Sequence, residues 1–270
     1  MISLLINTLA FVSILFISMS NVYAKDDYDA KFADDIKKLS ELSELTIAAR
    51  AVRGFGPHIK NGETGYLYAL IKRGIIEPGS SDMELAMKGA LQFNHPEMLE
   101  MLIHNGANLH GSIRLGENEV SHIVASGLLS ESAGKDNFNL LLNNGVNLLG
   151  EAKVSGKVIP DILFILVLKN FGSDEKRNVL KSYLSQGADL NALLQSGDIS
   201  NNEKSGKTLA HLVVEEPISD EATVGILELL EDLGANLNTR DSDGDFPVKS
   251  IKSAKKIKTF EFLLERQGLN

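Results

Sequence analysis

The chain has 270 residues, and its 27 Lys and Arg against 36 Asp and Glu give a formal net charge of −9. Hydrophobic residues at 43% and charged residues at 23% exclude a chain that is disordered throughout or crosses a membrane many times. An acidic chain lacks the basic footprint that phosphate binding needs, so we expect no nucleic-acid partner. Because the sequence has no Cys, it excludes disulfide scaffolds, thiol nucleophiles and cysteine-ligated metal sites.

The first 24 residues have the composition of an export signal. They contain no charged side chain, and the run from Ile2 to Ser18 is almost wholly apolar. Val22 and Ala24 fit the small-residue pattern of a signal-peptidase site, and charged residues begin at Lys25. We therefore predict that residues 1–24 are a signal peptide and that the mature protein is periplasmic, without stable membrane insertion. Secretion is one alternative. An uncleaved membrane tether is another, because about 18 apolar residues approach the length that spans a bilayer.

Residues 25–81 are predicted to form an N-terminal helical capping region. Apolar residues recur there at helical spacing, with charged residues on the other side; they are Phe32, Ile36, Leu39, Leu42 and Leu45. A second helix is predicted over Tyr66–Ile71, with an end near Gly74. The sequence leaves open whether residues 45–74 form a degenerate repeat.

A segment with two apolar residues, a polar pair and then Gly-Ala-Asn-Leu recurs in variant forms along the rest of the chain. Its glycines stand 39, 42, 47 and 34 residues apart, which indicates a repeat period in the low thirties with insertions; they are Gly106, Gly145, Gly187, Gly234 and Gly268. Each apolar pair is expected in the last turn of an amphipathic helix, which the glycine ends in a left-handed conformation. We expect Leu141, Leu184 and Leu230 to be buried in these helices.

These repeats resemble the ankyrin-repeat family, whose unit is a β-turn followed by two antiparallel helices. The family's Thr-Pro-Leu-His motif is matched in part, since Thr208 and His211 keep its ends and Pro247 keeps its proline. The resemblance implies an all-α fold, an α-solenoid of stacked helix pairs joined by β-turn fingers, with about five units over residues 82–270. It also implies that Thr208 caps a helix and that His211 bonds backbone between repeats. Three histidines fall in structural slots of the family: His95, His122 and His211.

The third repeat is followed by an insertion that lengthens one finger. About nine extra residues fall within Ala192–Ser205, and loops longer than a fold needs often carry binding. Leu193, Leu194 and Ile199 are apolar in an otherwise polar segment. We predict that they are anchors of a desolvated contact with a protein partner.

A lysine cluster follows the fourth repeat, between positions 249 and 258. Three of its members are spaced i, i+3 and i+7, which would place them on one helical face; they are Lys249, Lys252 and Lys256. One interpretation is a solvated helix face with no binding role. The sharper one, which we adopt, is that these lysines contact an acidic surface of the partner and steer its association.

Three motifs that resemble sites of known chemistry lack an essential part. Gly206-Lys207-Thr208 resembles the end of a phosphate-binding loop, but position 201 is Asn where that loop needs Gly. The acidic turn Asp241–Asp245 lacks the bidentate glutamate of a calcium loop. His104 and His110 would need a third ligand to hold a metal. We therefore predict no catalytic residue, no cofactor, no metal site and no enzymatic activity.

The resemblance implies a surface for macromolecular partners, because stacked repeats create an extended concave face. We expect an exported protein that binds another protein, such as a periplasmic inhibitor, immunity or enzyme-protecting module. A secreted effector that engages host proteins is the alternative, and an unrecognised hydrolase is a third possibility. The sequence does not define the partner or the oligomeric state.

Overall fold

The computed structural model describes residues 28–42, 56–129, 134–168, 171–198 and 205–267. The predicted signal peptide and the predicted anchor Ile199 lie outside these ranges. The chain forms two compact units, one ending at Asn108 and the other beginning at Leu109. We placed the start of the repeat domain at residue 82, so the helix pair that follows this position belongs to the first compact unit.

Within the described residues, the first unit is formed by helices. Their bounds are α1 (Ala33–Ser40), α2 (Gly56–Lys60), α3 (Thr64–Lys72), α4 (Ser81–Gln92) and α5 (Pro96–His104). Helices α2 and α3 form an antiparallel pair that stacks on the pair α4 and α5, and α1 packs on α3. The core is made of large apolar side chains such as Tyr68, Met87 and Leu102, each fully buried. Burial of these helix faces stabilises the unit, since helices this short are marginal in isolation.

In the second unit, β-hairpins alternate with helix pairs. The helices are α6 (His122–Leu129), α7 (Lys135–Asn143), α8 (Asp161–Val167), α9 (Ser173–Ser185), α10 (Leu209–Glu215), α11 (Asp220–Asp232) and α12 (Ile257–Arg266), with a 3₁₀ helix at Pro247–Ser250. One layer stacks α6, α8, α10 and the 3₁₀ helix in sequence, and the other stacks α9, α11 and α12. Each helix pair of the second unit therefore packs chiefly on the pairs before and after it, as in a repeat protein.

The fingers between the helix pairs form one antiparallel sheet. Its strands, in the order in which they pair, are β1 (Ser112–Leu115), β2 (Asn118–Ser121), β3 (Glu151–Val154), β4 (Lys157–Pro160), β5 (Leu194–Asp198) and β6 (Ser205–Lys207). Ile113 pairs with Val120 within the first hairpin, and Glu119 pairs with Lys153 of the next. The predicted all-α class is therefore wrong, because the fold is mixed α/β.

The hairpins form because their turns suit the twist of paired strands. In the second finger, Ser155 and Gly156 both have positive φ, at 49° and 78°, which is the signature of a two-residue type I′ turn. Alternating residues then face opposite sides of the sheet. The resemblance implies only β-turn fingers at these positions. Each strand is three to five residues long, so its alternation is too brief to stand out in the sequence.

The predicted glycine stops are confirmed wherever the structure describes them. The φ angles are 90°, 74°, 93° and 97° at Gly106, Gly145, Gly187 and Gly234. The N–H of the residue after each glycine donates to the carbonyl five residues earlier, at 3.1, 3.1, 3.3 and 2.9 Å; the donors are Ala107, Val146, Ala188 and Ala235. This is the Schellman motif, in which a left-handed residue satisfies the last carbonyls of a helix.

The same motif resolves the question about the segment before residue 75. Gly62 and Gly74 have φ of 71° and 68°, and they end α2 and α3 as Asn94 and Gly106 end α4 and α5. Both pairs of stops are separated by 12 residues. Residues 56–74 therefore form a helix pair of the same kind as the later ones.

One expectation for the outer helices is wrong. Leu141 and Leu230 are fully buried as predicted, but Leu184 is half-exposed and Tyr183 is buried instead. Tyr183, like Leu141 and Leu230, stands four residues before the glycine that ends its helix. The distance from the glycine, and not the presence of Leu, determines which side chain faces the core.

Candidate protein-binding surface

The insertion that we predicted as a long finger forms the third hairpin of the sheet. Leu194 of β5 pairs with Lys207 of β6, and the tip between the two strands lies outside the described residues. Leu193 packs beside Gly206, where an added Cβ would lie 3.2 Å from the Cβ of Leu193. It is 48% exposed, as a binding anchor requires, whereas Leu194 is half-buried.

The predicted helical face of lysines does not exist. The 3₁₀ helix ends at Ser250 and α12 begins only at Ile257, so Lys249, Lys252 and Lys256 do not share one helix. The start of α12 is fixed by a neighbour, since the Asp220 carboxylate accepts the backbone N–H groups of Lys258 and Thr259 at 2.8 and 2.9 Å. A carboxylate at a helix start satisfies its first N–H groups and complements the helix dipole.

Lys256 is a structural residue and is not available to a partner. Its side chain is buried, and its Nζ donates to the carbonyls of Val214 and Glu216 at 2.8 Å each. These carbonyls lie at the end of α10, where they lack partners within the helix. Burial lowers the pKa of Lys256, and the two carbonyls and nearby carboxylates offset part of the cost. The prediction that Lys256 contacts a partner is therefore wrong.

Lys252 lies next to the root of the long finger. Its ammonium is 3.1 Å from Oε1 of Glu215, and the same oxygen is 2.7 Å from the ammonium of Lys207 in β6. Burial alone would raise the pKa of Glu215, but the two lysines outweigh it and lower the pKa. Lys252 is 74% exposed, while Lys249 forms an exposed ion pair with Asp245. Glu215 thus brings together the finger and one of the predicted lysines.

One face of the sheet is apolar and buried, and the other carries exposed charges. Ile113, Val120 and Ala152 point to the buried side. On the opposite side Glu119 lies beside Lys153, and its pKa is lowered first by a hydrogen bond from Ser112 and then by Lys153. The exposed side of the sheet therefore presents mixed charges to solvent.

His211 has the structural role that the resemblance implied. Its Nδ1 is 2.7 Å from the Thr208 hydroxyl and its Nε2 is 3.0 Å from the carbonyl of Asp245, in the next finger. Thr208 is the N-cap residue of α10, but its hydroxyl binds His211 and not a helix N–H. His95 similarly contacts the carbonyl of Lys60 at 3.1 Å, in the preceding helix pair. His122 is fully buried.

The motifs that resemble metal sites are structural turns and helix ends. The Asp241 carboxylate accepts the N–H groups of Asp243 and Asp245 at 3.0 and 2.8 Å, which closes the acidic turn on itself. His104 contacts the carbonyl of Glu100 within α5 at 2.9 Å. Over the described residues, no three His, Asp or Glu side chains are placed to hold a metal ion.

Side-chain amides connect successive repeats, a feature that we did not predict. Gln186 donates to the carbonyl of Val146 at 3.0 Å and accepts the N–H of Leu148 at 2.9 Å. Asn191 accepts the N–H of Asn236 at 2.6 Å in the next repeat. In the sequence Gln186 directly precedes Gly187 and Asn191 stands four residues after it, but their partners come from neighbouring repeats.

The buried carboxylate of Asp161 was also missed. Asp161 opens α8 and is 1% exposed. Burial raises its pKa to about 6, the nearby Ser121 hydroxyl opposes this rise, and Glu151 adds to it. Neither carboxylate oxygen has a well-formed hydrogen bond within the described parts of the chain. It is closed off from solvent.

The chain matches no protein-family model, and no curated protein is significantly similar to it. Of the helices in the described ranges, each is too short or too polar to span a bilayer.

Proposed function

We propose that this chain is an exported, non-catalytic, ankyrin-type repeat protein that binds another protein. Its binding region is the finger surface, which we define as Leu193, Leu194, Lys207, Lys249 and Lys252. The observation that carries the proposal is the position of Leu193, a half-exposed apolar side chain at the root of the longest finger, beside lysines held together by Glu215.

The surface combines two features that protein interfaces use. An exposed leucine gains from being desolvated at the centre of a contact, at about 25 cal/mol for each Å² removed from water. The lysines are already paired with Glu215 and Asp245, so a partner carboxylate would compete with these internal carboxylates. We therefore assign the affinity mainly to the leucines and the rate of association to the lysines.

Local structure supports the ankyrin-type assignment. Helix pairs ended by Schellman motifs stack on one another, and His211 connects one repeat to the next finger. Such a stack keeps long fingers side by side and presents an extended surface to a partner. A periplasmic inhibitor, immunity or enzyme-protecting role suits a protein that acts by covering a partner.

Site-specific photo-crosslinking tests the proposal. A photoreactive amino acid is placed at position 193 in the exported protein, and at position 85 as a matched control, because Leu85 is 51% exposed on α4 of the other unit. Crosslinked species are isolated from cells and identified by mass spectrometry. We expect one protein to be crosslinked reproducibly from position 193 and not from position 85.

The proposal is wrong if position 193 yields no crosslinked protein under conditions in which the chain is folded and exported. It is also wrong if positions 193 and 85 yield the same set of abundant proteins, since this would indicate contact without specificity.

A further inference from the structure

The last helix of the described chain exposes an apolar face. Ile257 and Phe260 are 61% and 46% exposed, and Leu264 is half-buried. These side chains are spaced i, i+3 and i+7, so they lie along one side of α12. We call this side of α12 the end face.

The corresponding positions of the preceding helix are buried. Counted back from the glycine that ends each repeat, Leu264 and Phe260 of α12 correspond to Leu230 and Ile226 of α11. Leu230 and Ile226 are 0% and 2% exposed, and α11 is the helix on which α12 packs. The end face thus carries apolar side chains at the positions that are buried one repeat earlier.

The charges along α12 make this helix complementary to itself. Lys255 and Lys258 stand at its start, whereas Glu261 and Glu265 stand toward its end, and all four are exposed. Lys258 binds Glu221 of the same chain at 2.6 Å, so Lys255 is better placed to reach a second molecule. At the other end of α12, Arg266 is paired with Glu231 at 2.7 Å and also lies 3.8 Å from Glu265. In an antiparallel pair of helices related by a two-fold axis, the lysine end of each helix meets the glutamate end of the other. A parallel pair would bring like charges together.

We propose that a second copy of this chain docks on the end face, giving a two-fold symmetric dimer with antiparallel α12 helices. Phe260 lies at the centre of this contact, and Lys255 of each copy faces Glu265 of the other. Because α12 has 10 residues and rises about 1.5 Å per residue, the end face is only about 15 Å long. A contact of this length buries less area than a standard protein interface does. The dimer is therefore weak and forms only as the concentration rises.

Sedimentation velocity of the purified chain tests this arrangement between about 1 µM and about 500 µM, the range in which weak association is populated. We expect the weight-average mass to rise toward that of a dimer over this range. Phe260→Glu should raise the dissociation constant of the dimer at least about tenfold. Leu85→Glu, a matched change of an exposed leucine on the first unit, should leave this constant unchanged. Circular dichroism confirms that both variants are folded.

A charge exchange tests the antiparallel orientation without touching the apolar residues. Lys255→Glu and Glu265→Lys should each weaken association several-fold, and the double variant should restore it, because opposite charges meet again. A wild-type chain that stays monomeric over the whole range overturns the proposal. So does a dimer that Phe260→Glu leaves intact, or a double variant that is no better than the single ones.

Discussion

We expect Asp161→Asn to raise the free energy of unfolding at neutral pH and to leave it almost unchanged in acid. Burial raises the pKa of the Asp161 carboxyl to about 6, and Glu151 adds to the rise while Ser121 opposes it. An aspartate in the unfolded chain titrates near 3.8, so the folded state holds the proton more tightly. Asn has nearly the same shape and does not ionise.

The magnitude follows from linkage. A folded-state pKa above the unfolded value gives a stabilisation that is complete below the unfolded pKa of 3.8 and is lost as the pH rises through about 6. The two values differ by about two pH units, and at about 1.4 kcal/mol per unit the ionised carboxylate costs the fold about 3 kcal/mol above pH 6. The variant avoids this cost, less any penalty for burying the amide group.

Urea denaturation followed by far-UV circular dichroism measures the effect between about pH 4 and about pH 8, the range over which this proton is lost. The difference between variant and wild type should be near zero at the acid end and rise to as much as about 3 kcal/mol at the other. Taking the difference cancels the contribution of other titrating groups to the pH dependence; one such group is His211, whose pKa is lowered by burial. Glu117→Gln, at the exposed tip of the first hairpin, should show no such dependence. A difference that is the same at every pH would refute the reasoning.

Three further predictions concern two matched pairs of substitutions and the predicted cleavage site of the signal peptide. Gly234→Ala should destabilise the protein by about 1–2 kcal/mol because φ is 97° there, whereas Gly225→Ala, within α11 and facing open space, should stabilise it by about 1 kcal/mol; urea denaturation checks both. Lys256→Met should cost about 1–3 kcal/mol, because it removes the ammonium donor to the Val214 carbonyl and one of the donors to the Glu216 carbonyl, which also accepts the N–H of Ile218. Lys252→Met, at a side chain that is 74% exposed, should cost less than about 1 kcal/mol. Ala24→Leu should leave uncleaved precursor, and intact mass should show wild type beginning at Lys25.

Features fixed by local chemistry were predictable from the sequence. The glycine stops and the helix pairs depend on residues close together in the chain, and a left-handed residue after an amphipathic helix has few alternatives to glycine. The role of His211 was predictable because the family motif that it matches is short and local. The exposed position of Leu193 followed from an apolar residue in a polar insertion.

Features fixed by distant residues were not predictable. The start of α12 depends on Asp220, which is 38 residues away from the N–H of Lys258 that it accepts, so lysine spacing alone suggested a helix that begins too early. The sequence suggests a surface position for Lys256, but its ammonium binds carbonyls at the end of α10, about 40 residues earlier in the chain. The sheet was missed because β2 pairs with β3 and β4 with β5, each across two fingers, and this pairing has no signal in any one segment.

The proposed role in binding is tested most directly by the affinity of the crosslinked partner for variants of the finger surface. Once that partner is purified, isothermal titration compares wild type with Leu193→Asp, and with Leu85→Asp as the matched control. We expect Leu193→Asp to weaken binding at least about tenfold, or about 1.4 kcal/mol, while Leu85→Asp binds as wild type does. Equal affinities for all three proteins would contradict the assignment of the binding surface to the long finger.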